Sequence, residues 1–339
     1  MLTRAITAIN KNWMKSALMI TFLLWALSVS GRLIKSGFVY GLNFELFQPD
    51  GGNYLKLTQD LSNFSIQNST VYSWTRPLYP ILSIPFYKLL GVNGMLVIPA
   101  LSFLAIGIIF YYVGENKLDK TILLLCFFIL TSSTTVLRWV IADLTDGLHL
   151  ALFSLCCLGL LRKWDFKIML FIIILGALAR PMGPIWTALF IPFVFVETGK
   201  KKFKLFVLAI TPSLLFVLNT IVMAIYGGFA PSSKSLTQQL IDFPINFIKL
   251  IFVEFGQIAV LDRVLFYFAI LTFILAMRIA QNNWAKAHIY VTLASFFISA
   301  WIGVVGVNFR YQLPLLISGS CVTFMFVKNR INSIPAWIK

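Results

Sequence analysis

The sequence predicts an all-α fold: a polytopic membrane protein of about ten transmembrane helices, with interfacial helices on its outer face. Three observations carry that expectation. The 339 residues are 59% hydrophobic with a mean hydropathy of +0.86, well above the apolar share of about 45–50% usual in soluble domains. Apolar runs long enough to cross a bilayer recur along the chain, separated by short polar connections. Finally, the basic residues that give a net charge of +16 punctuate these runs instead of forming one surface stripe. Charged residues make up only 12% of the chain, so membrane topology and anionic headgroups account for the basic excess, and nucleic acid is not an expected partner.

The first span runs from the basic start (Arg4, Lys11, Lys15) to about Leu33, with its amino terminus inside. Residues 34–93 form a first outer loop. They hold Glu45, Asp50, Asp60, an Asn/Ser/Thr-rich patch over Asn63–Thr70, and Arg76-Pro77-Leu78-Tyr79-Pro80. Within them Tyr79–Leu90 is apolar but only about a dozen residues long and interrupted by Pro80 and Pro85, a length that suits an interfacial helix. Spans are then expected at 94–113, 120–137, 144–162, 167–179, 183–197, 204–226, 263–280, 287–306 and 311–327. Residues 228–262 form a second outer loop, with Ser232–Asp262 holding one or two interfacial helices. Residues 244–261 are apolar enough to span. Lys249 and Glu254 interrupt them, however, and an extra span would carry the basic tail outside.

The connections Glu115–Lys120, Arg162–Lys167, Glu197–Lys204 and Arg278–His288, with the tail from Lys328, hold most of the lysines and arginines. The positive-inside rule then places both termini in the cytoplasm and makes residues 1–339 a single transmembrane domain. The cysteines (Cys126, Cys156, Cys157, Cys321) sit within apolar runs, without metal-ligand spacing, and read as small buried hydrophobes. His149 and His288 are far apart, and no histidine-rich cluster exists.

This topology gathers Asp50, Arg76, Arg138, Asp143, Asp146, Arg180 and Arg310 on one face, at the ends of different spans. Charges near a membrane are expensive, and those that cannot reach water are candidates for function. Asp50 lies in Phe47-Gln48-Pro49-Asp50-Gly51-Gly52-Asn53-Tyr54, where Pro49 and the paired glycines predict a turn with a free carboxylate. A loop aspartate capping a helix that begins near Tyr54 is the plainer reading of the same residues. Asp143 and Asp146 would share a face of the helix they open, where the macrodipole favours acidic residues. Two like charges so close call for a cation, an arginine or a sugar hydroxyl. Arg180-Pro181 marks a helix break and Arg310-Tyr311 a helix start. Arginines so placed suit bidentate phosphate recognition.

The outer-loop motif at Asp50, the Arg76-Pro77-Leu78-Tyr79-Pro80 segment, the Asp143/Asp146 pair, Arg180-Pro181-Met182-Gly183 and the late Arg310-Tyr311 together resemble the GT-C superfamily of membrane glycosyltransferases. That superfamily includes the protein O-mannosyltransferases and the lipid A aminoarabinose transferase. The likeness extends from the first span to the last. It departs where many relatives carry a soluble carboxy-terminal domain, and where some have two neighbouring acidic residues in the first loop. The resemblance implies inverting transfer of a sugar from a polyprenyl-phosphate carrier to an acceptor hydroxyl of a glycan or lipid-linked glycan. The setting it implies is the outer face of a bacterial inner membrane, in surface polysaccharide modification such as O-antigen or capsule. Asp50 is then the expected general base, and Arg310, followed by Arg180 and Arg76, the expected ligands of the carrier phosphate. Asp143, Asp146, Tyr54, Tyr79 and Tyr311 are acceptor-binding or orienting residues, and Tyr54, Trp74 and Tyr79 are candidates to stack on a sugar. A divalent cation between Asp143 and Asp146 stays open beside an arginine partner or acceptor hydroxyls, and no other cofactor is expected.

Other functions are weighed against this one. An O-antigen polymerase or ligase with a diphosphate-linked carrier also needs outer-face arginines, but does not rest on an early-loop aspartate. A lipid-linked sugar transporter or flippase usually shows internal repeats, which this chain lacks. A non-catalytic scaffold leaves the charge placement unexplained.

Overall fold

The computed structural model describes residues 16, 19, 23, 49–65, 69–114, 144–226, 236–252, 260–302 and 309–332. Every regular element among them is a helix. All of the first span but residues 16, 19 and 23, together with the 120–137 span, Arg138 and Asp143, lies outside the described residues.

The region expected as a first loop folds into α1 (Pro49–Ser62), the single turn α2 (Val71–Trp74) and α3 (Leu78–Leu90). The turn expected at Pro49–Gly52 is instead the first turn of α1. Proline is acceptable there because the first amides of a helix have no intrahelical partner to lose. Burial of Gly51, Tyr54, Leu55, Leu57 and Thr58 in the same helix outweighs the poor propensity of the paired glycines. Likewise Pro80 and Pro85 do not interrupt α3, which runs through both. A 3-10 turn (Gly91–Leu96) follows and folds back on α3. A Cβ at Gly94 would lie 2.2 Å from the Phe86 carbonyl oxygen, so only glycine allows this approach. Helix α4 (Val97–Gly114) leaves from that corner.

The remaining helices form an up-and-down bundle. They are α5 (Asp146–Arg162), α6 (Phe166–Ala179), α7 (Gly183–Val196), α8 (Gly199–Ile225), α9 (Leu236–Phe252), α10 (Val260–Arg278), α11 (Asn283–Ile302) and α12 (Phe309–Asn332). Their ends follow local chemistry. Lys163 closes α5 in the left-handed conformation, and the Asp165 carboxylate caps α6 by accepting from the Lys167 amide at 3.1 Å. Pro181 enforces the extended backbone at Arg180 that ends α6, and Pro184 stands in the first turn of α7. Helix α5 pairs with α6 and α7 with α8, α6 also packs on α8, α7 lies on α11, and α12 returns against α5, α10 and α11. Arg162 donates to the Tyr112 carbonyl at 3.3 Å, which sets the carboxy ends of α4 and α5 side by side.

Two helical stretches are long and apolar enough to cross a membrane, Leu78–Val113 and Gly199–Met223, each with a mean hydropathy of 2.3. The first includes the fold-back at Gly94. Shorter apolar helices are Phe166–Ala179, Gly183–Val196, Tyr267–Arg278 and Gln312–Thr323. Large apolar side chains stand exposed along the outside of the bundle, among them Phe171, Leu214, Ile221, Leu271 and Phe297. The core between the helices centres on Phe153, Ile173, Trp186, Leu189, Phe190 and Val291. Cys156, Cys157 and Cys321 are buried and unbridged. Residues 236–252, expected within a second loop, form α9, which packs on the second half of α11 through Phe243 and Phe247.

Candidate active site at one end of the bundle

The amino end of α5, the α6–α7 break and the first-loop helices meet at one end of the bundle. Asp146 is the first residue of α5, and Arg180 sits in the extended segment between α6 and α7. The Arg180 Nη1 and the Asp146 Oδ1 form an ion pair, with both side chains almost fully buried. The two residues are 34 positions apart in sequence, and their pairing ties the start of one hairpin to the turn of the next. Of the partners open to Asp146, the structure provides the arginine.

One turn further into α5, His149 Nε2 accepts a hydrogen bond from the Trp186 indole N–H at 2.9 Å. Indole is a donor only, so Nε2 carries the lone pair and the neutral ring holds its proton on Nδ1. Phe153 and His149 both meet the Trp186 ring edge to face, at centroid distances of 5.3 and 5.7 Å. Room for the indole comes from Gly176 of α6, where a Cβ would lie 2.3 Å from the ring. Sequence reasoning does not single out this His149–Trp186 element. Its only signal there is the three-residue step from Asp146 to His149, which puts both on one helix face.

Arg76 follows α2 and is held by phenols. Its Nη1 donates to the hydroxyls of Tyr54 at 2.9 Å and Tyr72 at 2.5 Å, and its guanidinium lies 4.3 Å from the Tyr72 ring centre. Tyr54 stacks on Tyr72 and meets Tyr79 edge-on, while the Tyr79 hydroxyl donates to the Met95 carbonyl at 2.7 Å. This tyrosine cluster shares a small core with Leu144 and Leu148, which flank Asp146 in sequence. The first-loop arginine is therefore brought to the Asp146–Arg180 end of the bundle. Asn219 of α8 joins the same end by donating to the Thr75 carbonyl at 3.4 Å.

These contacts correct several expectations. Arg180 is 3% exposed and already paired with a carboxylate, so it braces the site and does not offer an open phosphate seat. Tyr54 and Tyr79 are fully buried with committed hydroxyls; they build the wall that holds Arg76 and have no face for a sugar. Trp74 remains accessible at 38% exposure, with its indole N–H donating to Ser69 at 3.0 Å. Asp60 is an internal tie: its carboxylate accepts from the Ser69 amide at 2.8 Å and closes the loop after α1. Asp50 stands at the second position of α1, and Arg310 and Tyr311 at the second and third positions of α12; their side chains lie outside the described residues. Helix α5 begins at Asp146, so the helix face expected to join Asp143 to it starts only there. Among the described residues no group of three histidine, cysteine or acidic side chains is placed to hold a metal ion.

Beside this end, Pro184, Phe243, Phe247, Leu293, Ala294 and Phe297 line an apolar groove of about 510 Å³. It runs between the start of α7, α9 and α11, four residues along the chain from Arg180. Comparison with known protein families, characterised proteins and solved structures finds no match, so the residues alone carry the functional reading.

Proposed function

We propose that the chain is an inverting membrane glycosyltransferase, moving a sugar from a polyprenyl-phosphate carrier to an acceptor hydroxyl on the outer face of a bacterial inner membrane. One observation carries this reading. Helix α1, which bears Asp50, and the α2–α3 turn, which bears Arg76, pack where α5 brings Asp146 and the α6–α7 break brings Arg180, beside an apolar groove of about 510 Å³. A polar, arginine-containing site next to a lipid-sized apolar surface suits a donor that is a sugar phosphate at one end and a hydrocarbon at the other.

The topology belongs to the same proposal. About ten spans with both termini in the cytoplasm put Arg76, Asp146 and Arg180 outside and the lysine-rich ends of α5, α8 and α11 inside. Exposed apolar side chains along α6, α8 and α10 then face lipid.

In the proposed reaction Asp50 takes the proton from the acceptor hydroxyl as its oxygen attacks the anomeric carbon. The bond from that carbon to the carrier phosphate breaks, and the electron pair leaves on the phosphate oxygen. Arg310 and Arg76 stabilise the growing phosphate charge, a contribution that needs donors fixed in place beforehand. Arg76 is fixed by Tyr54 and Tyr72. Asp146 and Arg180 hold the frame on which these groups are mounted. A single displacement inverts the anomeric centre. The groove lined by Phe243, Phe247 and Phe297 would take part of the isoprenoid chain.

The test is transfer from a radiolabelled polyprenyl-phosphate sugar to surface glycan in membranes, at matched expression of wild type, Asp50→Asn and Arg310→Ala. Loss of transfer in Asp50→Asn supports the base assignment. Wild-type transfer by Asp50→Asn, with loss only in the arginine variant, would instead favour a polymerase or ligase acting on a diphosphate-linked carrier.

A further inference from the structure

At the opposite end of the bundle a cavity of about 840 Å³ opens between the α5–α6 hairpin, the α7–α8 connection and the start of α11. Its inner lining is aromatic and apolar, with Trp164, Phe193 and Trp284, the last two ring centres 5.3 Å apart. Its rim holds Lys163, Lys204 and Lys286. The two carboxylates of the lining are already engaged: Asp165 caps α6, and Glu197 pairs with Lys201. Among the described residues no carboxylate pairs with Lys163, Lys204 or Lys286, and Lys204 instead lies over the Phe166 ring. The lining therefore carries a net positive charge, four lysines against two carboxylates, above an aromatic floor.

Lys163 adds a second observation. It occupies the left-handed position after α5 with φ +56°, and the next amide, Trp164 N–H, donates to the Gly159 carbonyl at 2.9 Å. Glycine fits this helix-ending motif without strain, and lysine does not. A lysine is kept here despite that cost, at the carboxy end of α5 where the helix dipole favours a cation and at the rim of the cavity.

We propose that this cavity seats an anionic phospholipid. The headgroup phosphate is held by Lys163, Lys204 and Lys286, and an acyl chain lies against Trp164, Phe193 and Trp284. Access from lipid decides between a phospholipid and a soluble phosphate compound. Val196, 55% exposed, belongs to the lining, and Phe195 and Phe203, 78% and 67% exposed, neighbour lining residues in sequence. Tryptophan and lysine together mark the bilayer interface, and basic pockets between helices on the cytoplasmic side suit anionic headgroups. The site uses the inside-facing assignment of the lysine-rich ends but not the transferase reaction, so it stands or falls separately from that reading.

The experiment uses the full chain in neutral detergent, with unfolding temperature followed as phosphatidylglycerol or phosphatidylcholine is added. Phosphatidylglycerol is expected to raise the unfolding temperature more than phosphatidylcholine does. Lys163→Gly should keep or raise the lipid-free value while weakening phosphatidylglycerol binding about fivefold, the factor that one near-surface lysine is worth. Lys163→Gly with Lys286→Gln should abolish the preference. An equal response to both lipids, an unchanged preference in the double variant, or the same stabilisation by glycerol phosphate would overturn the proposal. If the double variant does not fold, native mass spectrometry of Lys163→Gly decides: a phosphatidylglycerol-bound fraction equal to wild type overturns it.

Discussion

Arg180 and Asp146 form an ion pair with side chains 4% and 5% exposed, joining the α6–α7 break to the first residue of α5. Neither charge reaches solvent, so each is compensated inside the protein, and this ion pair is one of the contacts that does so. Removing one partner takes a counter-charge from the other in a medium that solvates it poorly, a loss of about 3–5 kcal/mol at buried pairs. Replacing both by apolar side chains of similar volume removes that penalty.

Asp146→Ala is therefore expected to destabilise the protein by about 3–5 kcal/mol. The double variant Asp146→Leu with Arg180→Met should recover most of the loss. Unfolding temperatures in detergent check both. If transfer activity stays low in the stable double variant, the pair serves to align the site as well as to hold the fold. A double variant as unstable as Asp146→Ala would count against charge compensation as the reason for the pairing.

Trp186 and Gly176 give a prediction for two destabilising changes that compensate each other at one contact. A Cβ on Gly176 would sit 2.3 Å from the indole, so Gly176→Ala overpacks the α6–α7 interface at about 1–3 kcal/mol. Trp186→Phe makes room for that methyl but removes the donor to His149, a loss of about 1 kcal/mol. The double variant should therefore be more stable than the sum of the two single losses implies. A double-mutant cycle on unfolding free energy measures the coupling, and strict additivity would show that the added methyl meets no ring.

The helices are largely legible in the sequence because their ends are written in local chemistry. Asp165, Pro181 and Gly183 bound α6 and α7 at Phe166–Ala179 and Gly183–Val196, within a residue of the expected 167–179 and 183–197. Pro49–Gly52 reads as a turn because two glycines and a proline lower helix propensity. That local preference yields to the burial of Tyr54, Leu55 and Leu57, which no propensity contains. The partner of Asp146 is not legible either. Nothing local selects an arginine 34 residues away over a cation or a hydroxyl. Tyr54 and Tyr79 resemble sugar platforms in the sequence because it does not separate a buried ring from an exposed one in a chain with 32 phenylalanines and 11 tyrosines. Once buried, each phenol needs a partner, and Arg76 and the Met95 carbonyl supply them.

A second polar link crosses the other half of the bundle. His288 of α11 lies 3.0 Å from the Ser318 hydroxyl of α12 through Nδ1 and 3.3 Å from the Thr272 hydroxyl of α10 through Nε2. All three side chains are buried. His288→Leu removes both contacts and is expected to cost about 1–3 kcal/mol through hydroxyls left without that partner. Ser318→Ala alone should cost less, because the ring keeps Thr272. Hydrogen exchange checks the location of the effect: amides of α10, α11 and α12 should lose protection before those of α5 and α6. A uniform loss across the bundle would place His288 in a general core role and not in a three-helix tie.

Arg76 is the residue for which charge and geometry separate most cleanly. Its Nη1 serves Tyr54 and Tyr72 together while the guanidinium plane lies on the Tyr72 ring. Lysine keeps the charge but has neither the planar fork nor the stacking face, so Arg76→Lys leaves the positive group free to wander. If Arg76 stabilises a leaving phosphate, that displacement matters more than the charge, and transfer should fall about 100-fold. Tyr72→Phe keeps the ring under the guanidinium and removes one acceptor, so its loss should be smaller, with stability lowered by about 1–3 kcal/mol. The measurement is initial transfer rate against donor concentration for wild type, Arg76→Lys and Tyr72→Phe, with unfolding temperatures taken in parallel. A fall in maximal rate for Arg76→Lys without a matching loss of stability would place Arg76 in the reaction. Wild-type rates in Arg76→Lys would reduce Arg76 to a strut of the α1–α3 region and leave phosphate stabilisation to Arg310.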